Sequence, residues 1–318
     1  MKQGLIFVWL TSTLMSAAAQ APDAVPAEQS VSAPTTSAAL SLKPSSLATS
    51  YEILLDFKPT DIKFSLENLM AVLRDKQHEG WVLTAYPDPK TRRPLIGAGF
   101  GLDVAATDHP QTDALNPHPF IEPSSAELWQ AAGLDANLLP TILDRFDRNM
   151  ETWSKKKYRR KIKAHSLRPD ITQEEATRLL RISSIQAVQN ARAYCRDFDK
   201  LNGLQQMALS QLVFQMGVNL EGFVQFLSTL NGSDDTFQSQ TIATTESDHW
   251  KAVQHTLIDS DWARRYTSRA TTVIAMFDPD YLQDPGEAER LVAAELPPPA
   301  RHHHHKKRRS LQSKQKTA

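Results

Sequence analysis

HEGWVLTAYPDPKTRRPLIGAGFGLD, residues 78–103, decides how the chain is read. It sets two carboxylates, Glu79 and Asp88, nine positions apart, with an aromatic strand between them and a run of glycines behind. The segment before it, residues 65–77, carries Leu66, Leu69, Met70 and Leu73 on one face of a helix, with Ser65 as its N-cap. Gly80 follows Glu79 directly, and glycine takes the left-handed conformation that ends helices without a Cβ penalty. Glu79 is therefore expected to close a helix. Asp88 is expected to stay exposed, in or near a β-hairpin that starts over 82–86 and turns around 89–94. The carbonyl end of a helix and nearby aromatic rings favour a protonated carboxyl, whereas an exposed aspartate stays ionised. Two carboxyls in such contrasting surroundings suit glycoside hydrolysis. The same pair also fits a solvated helix end and a turn aspartate, because many pairs fall at this spacing in a chain with 36 acidic residues.

Toward the N-terminus, residues 1–21 read as a secretory signal. Lys2 supplies the charge, residues 5–10 the apolar core and Ala19-Gln20-Ala21 an A-x-A cleavage site. The apolar core is too short for a permanent anchor, and no later run reaches the ~18 apolar residues of a spanning helix. A periplasmic or secreted location without a stable membrane anchor follows. Residues 22–50 are rich in Ala, Ser, Pro and Thr and cannot bury enough apolar surface to offset chain entropy, so a disordered linker is expected. With Cys195 the single cysteine, no intrachain disulfide can form, and no motif surrounds it.

Toward the C-terminus, residues 104–168 are irregular, punctuated by Pro110, Pro117, Pro119 and Pro123, with helical patterns over 125–132 and 138–153. The basic run KKKYRRKIK (155–163) fits either contact with an anionic polymer or a solvated face. From Ile171 the pattern is cleaner. Thr172 and Glu175 form a T-x-x-E capping box ahead of Ala176, Leu179 and Leu180. Further helices are expected over 185–197, 202–216, 223–230, 250–259 and 262–277, and Ala208, Leu209, Leu212, Val213 and Met216 fall at helical spacing. The fold class is α+β, one small hairpin region and a mostly helical remainder. The folded domain spans 51–294, and residues 295–318 read as a basic disordered tail. The formal net charge is zero, but residues 301–318 hold seven of the 36 basic residues and no acidic one, which leaves residues 1–300 mildly acidic. No cofactor, metal or nucleic-acid partner is expected, and the chain is expected to be a monomer.

These segments together resemble the T-even phage lysozyme family of endolysins. Glu79-Gly80…Tyr86-Pro87-Asp88 followed by Ile96-Gly97-Ala98-Gly99 is similar to its E-G…Y-x-D…I-G-x-G segment. Residues 171–176 resemble the start of its next helix, and 208–217 its central buried helix. Asp261-Trp262-Ala263 with Arg269-Ala270 resembles its C-terminal Trp and Arg-Ala helix. Residues 104–168 have no counterpart and read as an insertion. The resemblance implies a lysozyme-like fold and a muramidase that cuts the β-1,4 bond between N-acetylmuramic acid and N-acetylglucosamine in peptidoglycan. Glu79 would be the proton donor and Asp88 the second carboxylate, activating water on the opposite face with inversion, which needs the two ~6.5–9.5 Å apart. Gln215, Phe214, Arg269 and Tyr86 would face the substrate. One position departs from the pattern. Where the family has a threonine that holds the attacking water, this chain has Leu95, or Gly97 in a shifted alignment, while Thr91 lies nearby in the expected turn. A lytic transglycosylase on the same scaffold, or a cell-wall-binding protein that kept the cleft, therefore stays open.

Overall fold

The computed structural model describes residues 47–75, 81–88, 91–151, 169–232 and 245–296, with backbone alone for 47–50. Glu79, the expected signal (1–21), most of the expected linker, the basic run 155–163 and the tail from 297 lie outside the described residues. Among the described residues, four helices belong to the first half: α1 (Leu47–Leu55), α2 (Leu66–Arg74), α3 (Ser125–Ala131) and α4 (Leu138–Glu151). The second half adds α5 (Gln173–Tyr194), α6 (Gly203–Met216), α7 (Val224–Leu230), α8 (Glu246–Ile258), α9 (Asp261–Arg265), α10 (Thr267–Ala275) and α11 (Pro285–Glu295). Three strands, β1 (Val82–Pro87), β2 (Pro94–Gly97) and β3 (Phe100–Gly101), lie between α2 and α3. The α+β class expected from the sequence is the class observed.

The Ser65 side chain accepts from the Asn68 N–H at 3.2 Å and starts α2, which buries Leu66, Leu69, Met70 and Leu73 as their spacing predicts. The helix stops at Arg74, short of the expected Gln77, because Asp75 leaves it with ψ 144°. The strands form an antiparallel sheet in the order β1-β2-β3. A register slip between Val82 and Tyr86 marks a bulge, which bends and twists the strand. Gly97 and Gly99, at φ 64° and 87°, turn β2 into β3 through conformations that a Cβ would strain. Alternation then splits the sheet between two clusters. Ala85 and Ile96 join the main core, while Val82, Tyr86 and Leu95 pack with one another.

Helices α5 and α6 are the spine. The Thr172–Glu175 capping box opens α5, which then runs unbroken to Tyr194 where the sequence pattern suggested two helices. Ser183 does not break it, since its hydroxyl donates back to the Leu179 carbonyl at 2.9 Å. Helix α6 buries the expected Ala208, Leu209, Leu212, Val213 and Met216, and also Gln205, Gln206, Ser210 and Gln211, so it is enclosed on every side. Its buried amides are engaged: Gln205 donates to the Phe277 carbonyl at 3.1 Å, and Gln206 to that of Phe198 at 3.0 Å. Gly203, at its first turn, lets the Lys63 carbonyl approach so closely that a Cβ there would lie 2.2 Å from that oxygen. The helix expected over 262–277 is two, α9 and α10, separated where Tyr266 leaves helical geometry. Among the described residues no helix is long and apolar enough to cross a membrane.

Candidate active site

The hairpin turn fixes Asp88. Its backbone N–H donates to the Arg93 carbonyl at 2.8 Å, and the Arg92 N–H returns to the Asp88 carbonyl at 3.0 Å. Arg92 takes a positive φ of 64° to close this turn. Inside it, Asp88 Oδ1 accepts from the Thr91 N–H at 2.6 Å and from the Thr91 hydroxyl at 3.0 Å, as short polar side chains do in turns. Asp88 is thus 0% exposed, which corrects the expectation of a solvated carboxylate.

The base of the hairpin is tied to the helices. Trp81 Nε1 donates to Gln173 Oε1 at 2.6 Å, and the Arg74 guanidinium stacks 4.2 Å from the Trp81 ring. The Ala85 N–H donates to the Asp170 carboxylate at 2.8 Å, and Arg145 pairs with the same carboxylate at 2.8 Å. On the far side of the turn, Arg93 bridges to Asp103 at 3.1 Å. Leu95 is buried with Val82 and Tyr86 in an apolar cluster. The Thr91 hydroxyl donates to Asp88 and accepts from the Arg93 N–H at 3.3 Å.

The other expected substrate residues separate. Phe214, at the end of α6, lines an open cavity. Gln215, its neighbour, is nearly buried, and its Oε1 accepts from Trp262 Nε1 at 3.0 Å. Arg269 stands on α10 with its guanidinium 5.7 Å from the Tyr266 ring. Tyr86 is 1% exposed and shapes the sheet from within the small apolar cluster. Because Glu79 lies outside the described residues, its place relative to Asp88 and Arg269 is not part of this geometry.

The cavity that Phe214 lines measures about 230 Å³ and lies between β3, the segment before α3, and the facing sides of α5 and α6. Glu122 forms part of its wall and was not singled out in the sequence. Its carboxylate accepts from Asn190 Nδ2 at 2.9 Å and, more weakly, from Gln186 Nε2 at 3.4 Å. Burial pushes Glu122 up to about 7; the Asn190 hydrogen bond opposes this and the charge of Glu221 adds to it. Glu221 in turn lies 3.4 Å from His109 Nδ1. Burial, with Glu221 and Glu122 nearby, also pushes the Tyr194 phenol far above its ordinary value. The proline-rich stretch that looked like a loose insertion is stitched to the end of α5. Asn116 Nδ2 donates to the Arg192 and Ala193 carbonyls at 2.8 and 2.9 Å, the Ile121 N–H donates to Asn190 Oδ1 at 3.1 Å, and Asp113 pairs with Arg196 at 2.7 Å. The one sequence hint was an amide pair, Gln186 and Asn190, four apart on one helix face. Among the described residues no group of three His, Cys, Asp or Glu is placed to hold a metal ion.

No family model matches the chain, and no curated protein matches it.

Proposed function

We propose that the protein is an exported muramidase, with Glu79 as general acid and Asp88 as the second carboxylate in cleaving peptidoglycan glycan strands. The observation that carries this reading is the position of Asp88. It sits in a hydrogen-bonded turn at the end of β1, in a hairpin tied through Trp81 to α5, while α6 presents Phe214 to an open cavity beside the glycine turn. Glu79 would protonate the glycosidic oxygen. Asp88, oriented by Thr91 and closed off from solvent in the free protein, would stabilise the oxocarbenium-like state and activate water on the opposite face once the substrate uncovers it. The chain would act as a monomer on glycan strands, without a cofactor, metal or nucleic acid, after removal of residues 1–21.

A second reading has its own support. The buried Leu95 and the fully engaged Thr91 hydroxyl leave neither of these two positions to steady an attacking water. A lytic transglycosylase needs none, because the sugar's own 6-hydroxyl attacks and a 1,6-anhydro end forms. Asp88→Asn separates the two. Hydrolysis requires the Asp88 charge, so mass spectrometry of digested sacculi is expected to show no soluble muropeptides from this variant. Robust release of 1,6-anhydro products by Asp88→Asn would replace the hydrolase with the transglycosylase.

A further inference from the structure

The cavity beside β3 has a division of labour among its polar groups. The Ser125 and Ser183 hydroxyls are occupied, donating to the Gly101 and Leu179 carbonyls at 2.8 and 2.9 Å. Asn190 is likewise occupied, by Glu122 and by the Ile121 N–H. That leaves Glu122, and Gln186 Oε1, which accepts from no described residue, as the groups able to serve a ligand. The rest of the lining is glycine backbone, Gly99 and Gly101, and apolar side chains, Phe214 among them. At about 230 Å³ the space lies below the ~300–1,000 Å³ of pockets that take drug-sized ligands, so it suits one ring and not a chain.

We propose that this cavity is a subsite for a single uncharged N-acetylated sugar ring, selected by Glu122 and Gln186 and packed against Phe214. The ligand class rests on the glycan-cleaving reading; the place and the selecting residues rest on the cavity alone. With Glu122 raised to about 7, its carboxyl carries a proton below neutrality and donates to an acetamido carbonyl, while Gln186 Oε1 accepts from an amide N–H or a hydroxyl. Glu221 stands near enough to act on Glu122 by charge, so a ligand bearing its own carboxylate meets two acids. N-acetylglucosamine is therefore preferred over N-acetylmuramic acid with its lactyl carboxylate. The other groups around Glu122 are His109, paired with Glu221, and Tyr194 with Asn190 and Gln186 on α5. Because the His109–Glu221 pair lies so close, a variant at Glu122 itself is the necessary control.

The test is calorimetric binding of triacetylchitotriose, a neutral trimer, to the full chain. Affinity is expected to fall about tenfold from about pH 5.5 to about pH 8.5 as Glu122 loses its proton. Glu122→Gln keeps an amide donor and cannot ionise, so its profile is expected to flatten at the tight-binding end. Gln186→Leu is expected to weaken binding about tenfold at every pH. The wild-type profile needs no variant, so the proposal stays falsifiable if either substitution fails to fold. No binding, equal affinity across the pH range, an unchanged profile in Glu122→Gln, or tighter binding of the deacetylated cationic trimer would each overturn it. Sacculus digestion run in parallel separates the two claims. Muropeptide release with binding indifferent to Glu122 sinks the subsite and leaves the muramidase, whereas Glu122-dependent binding with no release supports the subsite and removes the enzyme.

Discussion

Asp88 and Glu122 are two carboxyls withdrawn from solvent by opposite means. Asp88 accepts from Thr91, three residues away, so this part of its support arrives with it in one tight turn. Glu122 is held by Asn190 and Gln186, 68 and 64 residues further along, and feels Glu221 beyond them. The Thr91 contacts of one acid are local; the setting of the other exists only when the 104–123 segment has docked on α5. The difference teaches where a carboxyl can acquire an unusual proton affinity. A turn supplies donors at once, but long-range packing supplies the burial and like charge that raise Glu122.

The broadest way to break the comparison is to loosen the core beneath both. Leu212 is fully buried in α6, and Leu212→Ala is expected to cost ~2–5 kcal/mol by denaturant unfolding. A loss under ~1 kcal/mol would mean that α6 is not the centre of the fold. Asn190→Ala is narrower. It strips a hydrogen bond from Glu122 and another from the Ile121 N–H, and should cost ~2–3 kcal/mol while leaving the hairpin amides protected in hydrogen exchange. Equal deprotection of the hairpin would show that the two regions are one unit.

Stability against pH sharpens the contrast further. Glu122 is raised from 4.5 to about 7, so the folded state keeps a proton that the unfolded chain releases. Its contribution is whole below about pH 4.5 and is lost as pH rises through about 7. With allowance for partial solvent access, the drop is on the order of 2 kcal/mol, and Glu122→Gln should remove that slope. A slope that persists in the variant would place its source elsewhere. The smallest effect belongs to Thr91→Val, which keeps the backbone donor and deletes the hydroxyl. It should cost ~1 kcal/mol and leave the pH slope intact.

What could be read in the sequence follows the same division. The Ser65 cap, the Thr172–Glu175 box, the hairpin around 89–94 and the apolar face of α6 are written in neighbouring residues, and each stands where its spacing put it. The failures lie where distant contacts decide. Asp88 looked exposed because prolines and charges surround it in sequence, yet the turn closes over it. The sequence pattern did not single out Gln205, Gln206 and Gln211, which are buried because carbonyls and a thioether on other segments meet them. The prolines of 110–123 marked that stretch only as irregular, whereas Gln111, Asn116 and Asn190 satisfy its backbone, and Gln111 and Asn116 also donate to carbonyls at the end of α5. Helix α1 begins inside the stretch expected to be linker, and its Leu54 reaches the core.

The central claim is that this chain cuts glycan strands with Glu79 as the acid, and mass spectrometry of purified sacculi treated with the full-length protein tests it most directly. The expected result is soluble muropeptides ending in reducing N-acetylmuramic acid, present with the wild type and absent with a folded Glu79→Gln. Equal release by Glu79→Gln, or no release by the wild type, would contradict it.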